Sequence, residues 1–224
     1  MHELSLRQML DYAMLAYSNT PTSPDFEQLE FENCDNGVQY FIGENEGTLI
    51  ISFRGTDSLK DWLTDLHFWK KTIPYGGKNT KIRIHSGFLK AYLDSCVCEK
   101  IKEHVTPQIK NIYITGHSFG AALALICAID LQNDFPEKAY EVAVFGCPRV
   151  GNKAFAKAYN KRIIKTIRIQ NGNDLVTKVP PAIFGFCHAG IKVQIGFPRI
   201  LGLFSIRRHC YRSYYGRLWK ARRI

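Results

Sequence analysis

Long apolar runs are missing from this sequence of 224 residues. No stretch approaches the roughly 18 uninterrupted apolar residues that a membrane-spanning helix needs, so no transmembrane segment is predicted. Residues 1–7 also lack the basic region followed by an apolar region that is typical of a secretory signal. These two absences lead us to expect a cytoplasmic protein.

Cysteine pairs with a recognisable spacing are absent too. The seven cysteines are odd in number and form no Cys-x-x-Cys motif. We therefore expect reduced thiols in a cytoplasmic protein rather than a disulfide framework. No cluster of cysteine and histidine indicates a zinc site, and we expect neither a metal nor another cofactor. The cysteines are Cys34, Cys96, Cys98, Cys127, Cys147, Cys187 and Cys210.

Acidic residues are missing from the last part of the chain. Asp174 is the last of them, and residues 175–224 contain ten lysines and arginines, so the whole net charge of +10 arises there. The basic segment over about 205–224 also contains tyrosines and a tryptophan, a composition that suits the surface of an anionic membrane. A solvated tail without a partner is the alternative. Nucleic-acid binding by this segment is a weaker alternative and is not expected. The sequence does not indicate an oligomeric state.

Repeats, low-complexity linkers and domain boundaries are not visible, so we expect one domain over residues 1–224. Apolar periodicity predicts a helix over 4–17 and a long helix over 88–104. Runs of β-forming residues predict strands over 38–42, 48–53, 140–145 and 163–169, and a brief strand near 81–84. Strands that alternate with helices imply an α/β fold with a largely parallel sheet and helices on both faces.

One stretch carries a chemical signal, the turn Gly-His-Ser-Phe-Gly at residues 116–120. A run of β-formers precedes it and an apolar run at 121–129 follows, so a buried strand and a buried helix flank the turn. Gly-x-Ser-x-Gly between a strand and a helix is the nucleophile elbow, which exposes a serine at a sharp turn. Ser118 is therefore the candidate nucleophile.

A serine nucleophile needs a histidine base and a carboxylate that orients it, in the order Ser, Asp or Glu, His in α/β-hydrolases. Asp174 follows a predicted strand, and its position at the strand's carboxyl end makes it the candidate acid. Only His188 and His209 lie after Ser118. Chain order does not separate these two candidate bases. We expect the side chain of His117, the neighbour of Ser118, to point away from the nucleophile.

Six segments in order resemble the class 3 lipase family, the fungal-type triacylglycerol lipases. They cover about residues 50–210, most of the chain. The segments are ISFRGT with DWLTDL at 51–66, HSGF at 85–88, TGHSFGAAL at 115–123, FGCPRVGN at 145–152, NDLV at 173–176 and VPP at 179–181, followed by a late histidine.

The resemblance implies an α/β-hydrolase fold and a catalytic triad of Ser118, Asp174 and His209. It also implies an oxyanion hole from Thr56 and the backbone N–H of Phe119. The helix that periodicity predicts over about 58–69 takes the family's lid position. An ordinary helix facing the core is the alternative interpretation of its apolar residues Leu59, Trp62, Leu63 and Leu66.

These observations lead us to expect a serine carboxyl-ester hydrolase that acts on lipid esters, either acylglycerols or phospholipids. An esterase for soluble esters is the competing enzyme, and a lipase-like binding protein without turnover is the competing non-enzyme. The chain departs from the secreted fungal lipases in its shorter length, its basic C-terminal segment and cysteines that do not suggest the expected disulfides. The head group and the preferred acyl chain are not determined by the sequence.

Overall fold

A seven-stranded sheet runs through the protein in the order β1-β2-β3-β6-β7-β9-β11. The computed structural model describes residues 4–56, 69–72, 80–197 and 205–220. The strands β1, β2 and β3 pair antiparallel, and β3, β6, β7, β9 and β11 pair parallel. The predicted, largely parallel sheet is thereby confirmed. The seven strands are β1 (Gln28–Asn33), β2 (Gln39–Asn45), β3 (Thr48–Phe53), β6 (Asn111–His117), β7 (Ala139–Phe145), β9 (Thr166–Asn171) and β11 (Ile191–Ile195).

A second, four-stranded antiparallel sheet has the order β10-β8-β5-β4. Its strands are only two or three residues long. Of these four strands, only β5 was predicted from the sequence, as a brief strand near 81–84. These strands are β4 (Lys70–Thr72), β5 (Arg83–His85), β8 (Gly151–Asn152) and β10 (Phe186–Cys187).

Helices cover both faces of the large sheet. One core contains the helix that follows β6, and it is buried almost all round, as its unbroken apolar sequence predicts. The core on the other face packs the first and last helices against the strands. The helices within the described residues are α1 (Leu6–Leu15), α2 (Ser86–Tyr92), α3 (Ser95–Glu103), α4 (Phe119–Asp134), α5 (Lys153–Arg162) and α6 (Tyr211–Lys220). Single 3₁₀ turns cover Val176–Lys178, Ala182–Phe184 and Ile206–Arg208.

The single helix predicted over 88–104 is wrong, because α2 ends at Tyr92 and α3 begins at Ser95. Asp94 adopts an extended conformation between them, and its side chain accepts a hydrogen bond from the backbone N–H of Cys96 at 3.1 Å. An aspartate at this position satisfies an N–H that the first turn of a helix leaves unpaired. The cap therefore outweighs the apolar periodicity that runs through it.

The expectation that all cysteines are reduced is also wrong. Cys34, in the turn after β1, forms a disulfide with Cys96 in α3, 62 residues further along the chain. The other five cysteines are free, and Cys127 and Cys147 are buried. In the part of the chain that the structure describes, no helix combines the length and the apolar character that a membrane crossing requires.

Candidate active site

Ser118 occupies a strained turn between β6 and α4. Its φ of 61° and ψ of −124° lie where residues other than glycine are uncommon. A Cβ added to Gly116 would approach the carbonyl oxygen of Gly120 to 2.6 Å, so the strand and the helix can come this close only because residue 116 is glycine. The predicted elbow is thus present at the carboxyl end of a central parallel strand.

Asp174 and His209 lie against each other beside this turn. Asp174 follows β9 and His209 follows the last 3₁₀ turn, and both side chains are buried. His209 Nδ1 is 2.8 Å from Asp174 Oδ2 and 3.0 Å from Oδ1. A carboxylate accepts hydrogen bonds only, so the N–H of the neutral ring lies on Nδ1 and the lone pair on Nε2.

Two further donors hold the Asp174 carboxylate. The backbone N–H of Val176 donates to Oδ1 at 2.9 Å, and the hydroxyl of Tyr214 donates to Oδ2. The Tyr214 oxygen also accepts from the backbone N–H of Asn171 at 3.1 Å. Burial, followed by the nearby Asp174 charge, raises the pKa of Tyr214 well above its ordinary value, so the phenol stays a donor. This tyrosine was not predicted from the sequence, because it lies 40 positions from Asp174 along the chain.

Ser118 and His209 line one cavity of about 370 Å³, together with Thr56, Tyr17 and Ile206. Ser118 Oγ and His209 Nε2 are both buried, and neither finds a hydrogen-bond partner among the residues described. The hydrogen bond between nucleophile and base is therefore not formed in this structure. Such bonds are often long or misaligned before substrate binds.

His117, which was not predicted as a site residue, lies against His209. Its ring stacks on that of His209, with centroids 4.5 Å apart, and its Nε2 is 2.7 Å from the His209 carbonyl oxygen. Nε2 therefore carries the proton and donates to this carbonyl, while Nδ1 accepts from the hydroxyl of Tyr17 at 2.7 Å. Burial and then the proximity of His209 lower the pKa of His117 well below its ordinary value, so it remains neutral.

His188, the other candidate base, lies elsewhere. Its Nε2 is 2.9 Å from the carbonyl oxygen of Thr177, and it does not line the cavity of Ser118. Burial, with repulsion from Arg168, lowers the pKa of His188 to about 3. The structure thus places His209, and not His188, beside Asp174.

Gly146 makes room for the histidine and the carboxylate. Its φ is 61°, and an added Cβ would lie 2.9 Å from His209 Nδ1 and 3.1 Å from Asp174 Oδ2. Only a residue without a side chain adopts this backbone conformation without strain and leaves both groups in place.

Of the two predicted oxyanion donors, Thr56 lines the same cavity as Ser118. Phe119 is the first residue of α4, where a backbone N–H has no acceptor within the helix. The predicted lid residues Leu59, Trp62, Leu63 and Leu66 fall outside the described residues. Within the described ranges, no group of three or more histidine, cysteine, aspartate or glutamate residues could hold a metal ion.

Comparison with known proteins supports the same assignment of fold. The chain is 37% identical over 165 residues to a lipase of Rhizomucor miehei, an alignment that covers 70% of this chain and 44% of the relative. It is 33% identical over 152 residues to the chloroplastic phospholipase A(1) DAD1 of Arabidopsis thaliana, covering 60% and 34% respectively. The chain thus spans less than half the length of these curated relatives.

The crystal structure of a lipase from Rhizopus microsporus var. chinensis superimposes with a TM-score of 0.72 at 27% identity, covering 85% of this chain and 74% of that one. This similarity confirms the predicted α/β-hydrolase fold. The sequence model of class 3 lipases matches residues 50–184, which is more than half of the chain and includes both the elbow and Asp174. The chain therefore belongs to the class 3 lipase family.

Proposed function

We propose that this protein is a serine carboxyl-ester hydrolase that acts on lipid esters, with Ser118 as nucleophile, His209 as base and Asp174 as orienting acid. The observation that carries the proposal is the buried His209–Asp174 pair, whose free Nε2 shares one cavity with Ser118 at a strained elbow. A structural serine in an ordinary turn would require neither the strained backbone nor this pair.

The geometry supports the following steps. Asp174 holds the Nδ1–H tautomer, so the Nε2 lone pair takes the Ser118 proton as Oγ attacks the ester carbonyl carbon. The negative oxygen of the tetrahedral intermediate then lies near the backbone N–H groups of Thr56 and Phe119, the proposed oxyanion donors. When the intermediate collapses, the Nε2 proton passes to the leaving alcohol. A water molecule, activated by the same nitrogen, then attacks the acyl-enzyme, and the carboxylic acid and free Ser118 are released.

Phe119 suits its role because α4 begins there. The first N–H groups of a helix point out of its N-terminus, which carries a partial positive charge and so favours an anion. Loss of one oxyanion donor typically costs about 2.7–4 kcal/mol of transition-state stabilisation. We therefore attribute a large part of the proposed catalysis to the backbone of the elbow itself.

Lipid esters are the proposed substrates because relatives in the family are named lipase and phospholipase A(1). Acylglycerols and phospholipids both fit this proposal. For the partner surface, we propose that the basic C-terminal segment contacts an anionic membrane. In α6, Tyr214 and Leu218 are buried against the core, whereas Arg212 and Tyr215 are exposed to solvent.

An oxidising compartment fits this protein better than the cytoplasm that the sequence led us to expect. Disulfides such as Cys34–Cys96 form and persist mainly outside the reducing cytosol. A count of free thiols in the denatured protein, before and after reduction, tests this: an increase of two on reduction is expected. An equal count before and after would restore the cytoplasmic expectation.

The hydrolase proposal is tested with Ser118→Ala on a short soluble ester and on an emulsified triacylglycerol. We expect hydrolysis by the unchanged protein and its loss in the variant, together with labelling of Ser118 by a serine-reactive phosphonate. Equal activity of the variant would refute the proposed nucleophile, and a folded protein inactive on all esters would favour the binding protein. Activity that rises sharply above the solubility limit of the ester would favour a lipase over a soluble esterase.

A further inference from the structure

A second cavity lies between α1 and the face of the central sheet that α1 covers. Its volume is about 490 Å³, larger than the cavity that contains Ser118. Its lining includes Ile167 and Ile191 near the starts of β9 and β11, together with Tyr113 and Ala143 inside β6 and β7. Ala143 pairs with Thr115, which lies three residues before Ser118, so at about 3.3 Å per residue this part of the lining is roughly 10 Å from Ser118 along the strands.

The start of α1 forms the opposite wall of this cavity, which we call the basal groove. Leu4, Leu6 and Met9 face the strands there, so both walls are apolar. Ile164 and Ile191 also line it and remain 75% and 65% exposed. An apolar ligand that covers exposed aliphatic side chains removes their surface from water, which favours binding. The groove thus has the size and the mostly apolar lining of a small-ligand site.

Among the described residues that line the basal groove, the charged ones are Lys165 and Glu141, whose Nζ and Oε1 atoms are 2.5 Å apart. The two partners are not equally accessible. The Lys165 side chain is 57% exposed and that of Glu141 only 22%, so the cationic side chain is the more accessible of the two to a ligand from solvent. An apolar groove with an accessible cation at its edge matches a molecule with one alkyl chain and one anionic end.

We propose that the basal groove binds a long-chain fatty acid, with the alkyl chain between α1 and the strands and the carboxylate beside Lys165. A site for a protein partner is disfavoured because specific protein interfaces need an extended surface, whereas this feature is a cavity of small-molecule size. The proposal goes beyond the hydrolase activity and does not depend on it. If that activity holds, the groove would bind the acid that the reaction releases, at a distance from the site of reaction.

Calorimetric titration with laurate, below the concentration at which it forms micelles, tests the proposal. The test variant is Ile164→Glu combined with Ile191→Glu, two substitutions at exposed positions that place carboxylates at the groove. Ile183→Glu is the matched control, because Ile183 is 87% exposed and does not line the groove. Thermal melting of each variant verifies that it is folded.

We expect saturable binding of laurate to the unchanged protein, at least tenfold weaker binding to the double variant, and no change in the control. Lys165→Gln should weaken laurate binding several-fold and leave binding of dodecanol, which has neither a carboxylate nor an ester bond, unchanged. Laurate affinity that is the same in the double variant, or reduced equally by the control, would overturn the site. An equal effect of Lys165→Gln on both ligands would overturn the role of the carboxylate. Groove-dependent binding in a protein that hydrolyses no ester would refute the hydrolase and leave this proposal standing.

Discussion

Gly146→Ala offers a sharp test of how the site is assembled. Two separate effects follow from the structure. The first is backbone strain, because alanine at a φ of 61° costs roughly 1–2 kcal/mol. The second is displacement, because the new Cβ would lie 2.8 Å from His209 Cε1 and 2.9 Å from Nδ1, distances that Cβ atoms do not tolerate. The ring or the Asp174 carboxylate must therefore move.

The two effects have different readouts. Strain of 1–2 kcal/mol lowers the melting temperature of a protein of this size by about 2–8 °C. A displacement of about 1 Å at a catalytic group can cost roughly 100-fold in rate. We therefore expect Gly146→Ala to melt a few degrees lower and to hydrolyse a short soluble ester about 100-fold more slowly in kcat.

Gly37→Ala is the matched control. Its φ of 80° imposes a similar strain, but a Cβ there meets nothing within 4 Å. We expect a comparable loss of melting temperature with kcat unchanged. If Gly146→Ala retained more than half of kcat, or if Gly37→Ala lost as much activity, the proposed packing of His209 and Asp174 against residue 146 would be refuted.

Three other perturbations have defined outcomes. Tyr214→Phe removes the hydroxyl that donates to Asp174. We expect urea titration to show a loss of about 1–3 kcal/mol in the free energy of unfolding, together with a lower kcat. If neither value changed, this hydrogen bond would be unimportant. Replacing Cys34 and Cys96 by serine removes a disulfide that closes a loop of 62 residues, and the chain-entropy model predicts a loss of about 4 kcal/mol in the free energy of unfolding. A urea midpoint that does not shift would contradict the disulfide. Below pH 6.5 His188 becomes protonated in the unfolded chain, whereas in the folded protein, where its pKa is about 3, it stays neutral. The free energy of unfolding should therefore fall by roughly 1 kcal/mol for each unit by which the pH is lowered, because of this residue. The His188→Gln variant should show a shallower loss between pH 6 and 4, and an identical slope would contradict the buried, neutral ring.

The elbow was predictable because its signals are local. Glycines on both sides of Ser118, β-formers before it and an unbroken apolar run after it encode a strand, a tight turn and a buried helix within about twenty residues. Asp174 was predictable for a related reason, since the carboxyl end of a parallel strand is set by the strand pattern. The single domain, the catalytic roles and the lid stay predictions.

Other features depend on contacts between distant parts of the chain, and only the tertiary structure decided them. Chain order left His188 and His209 equal, and the family resemblance alone implied His209; the structure then shows its ring beside a carboxylate 35 positions away. The same holds for Cys34 with Cys96, whose spacing matches no short motif. The stacking of His117 on His209 was hidden because local sequence does not fix side-chain direction at a strained turn. Local sequence thus determined the elements and the nucleophile's turn, while packing of the whole chain determined the partners that lie beside it.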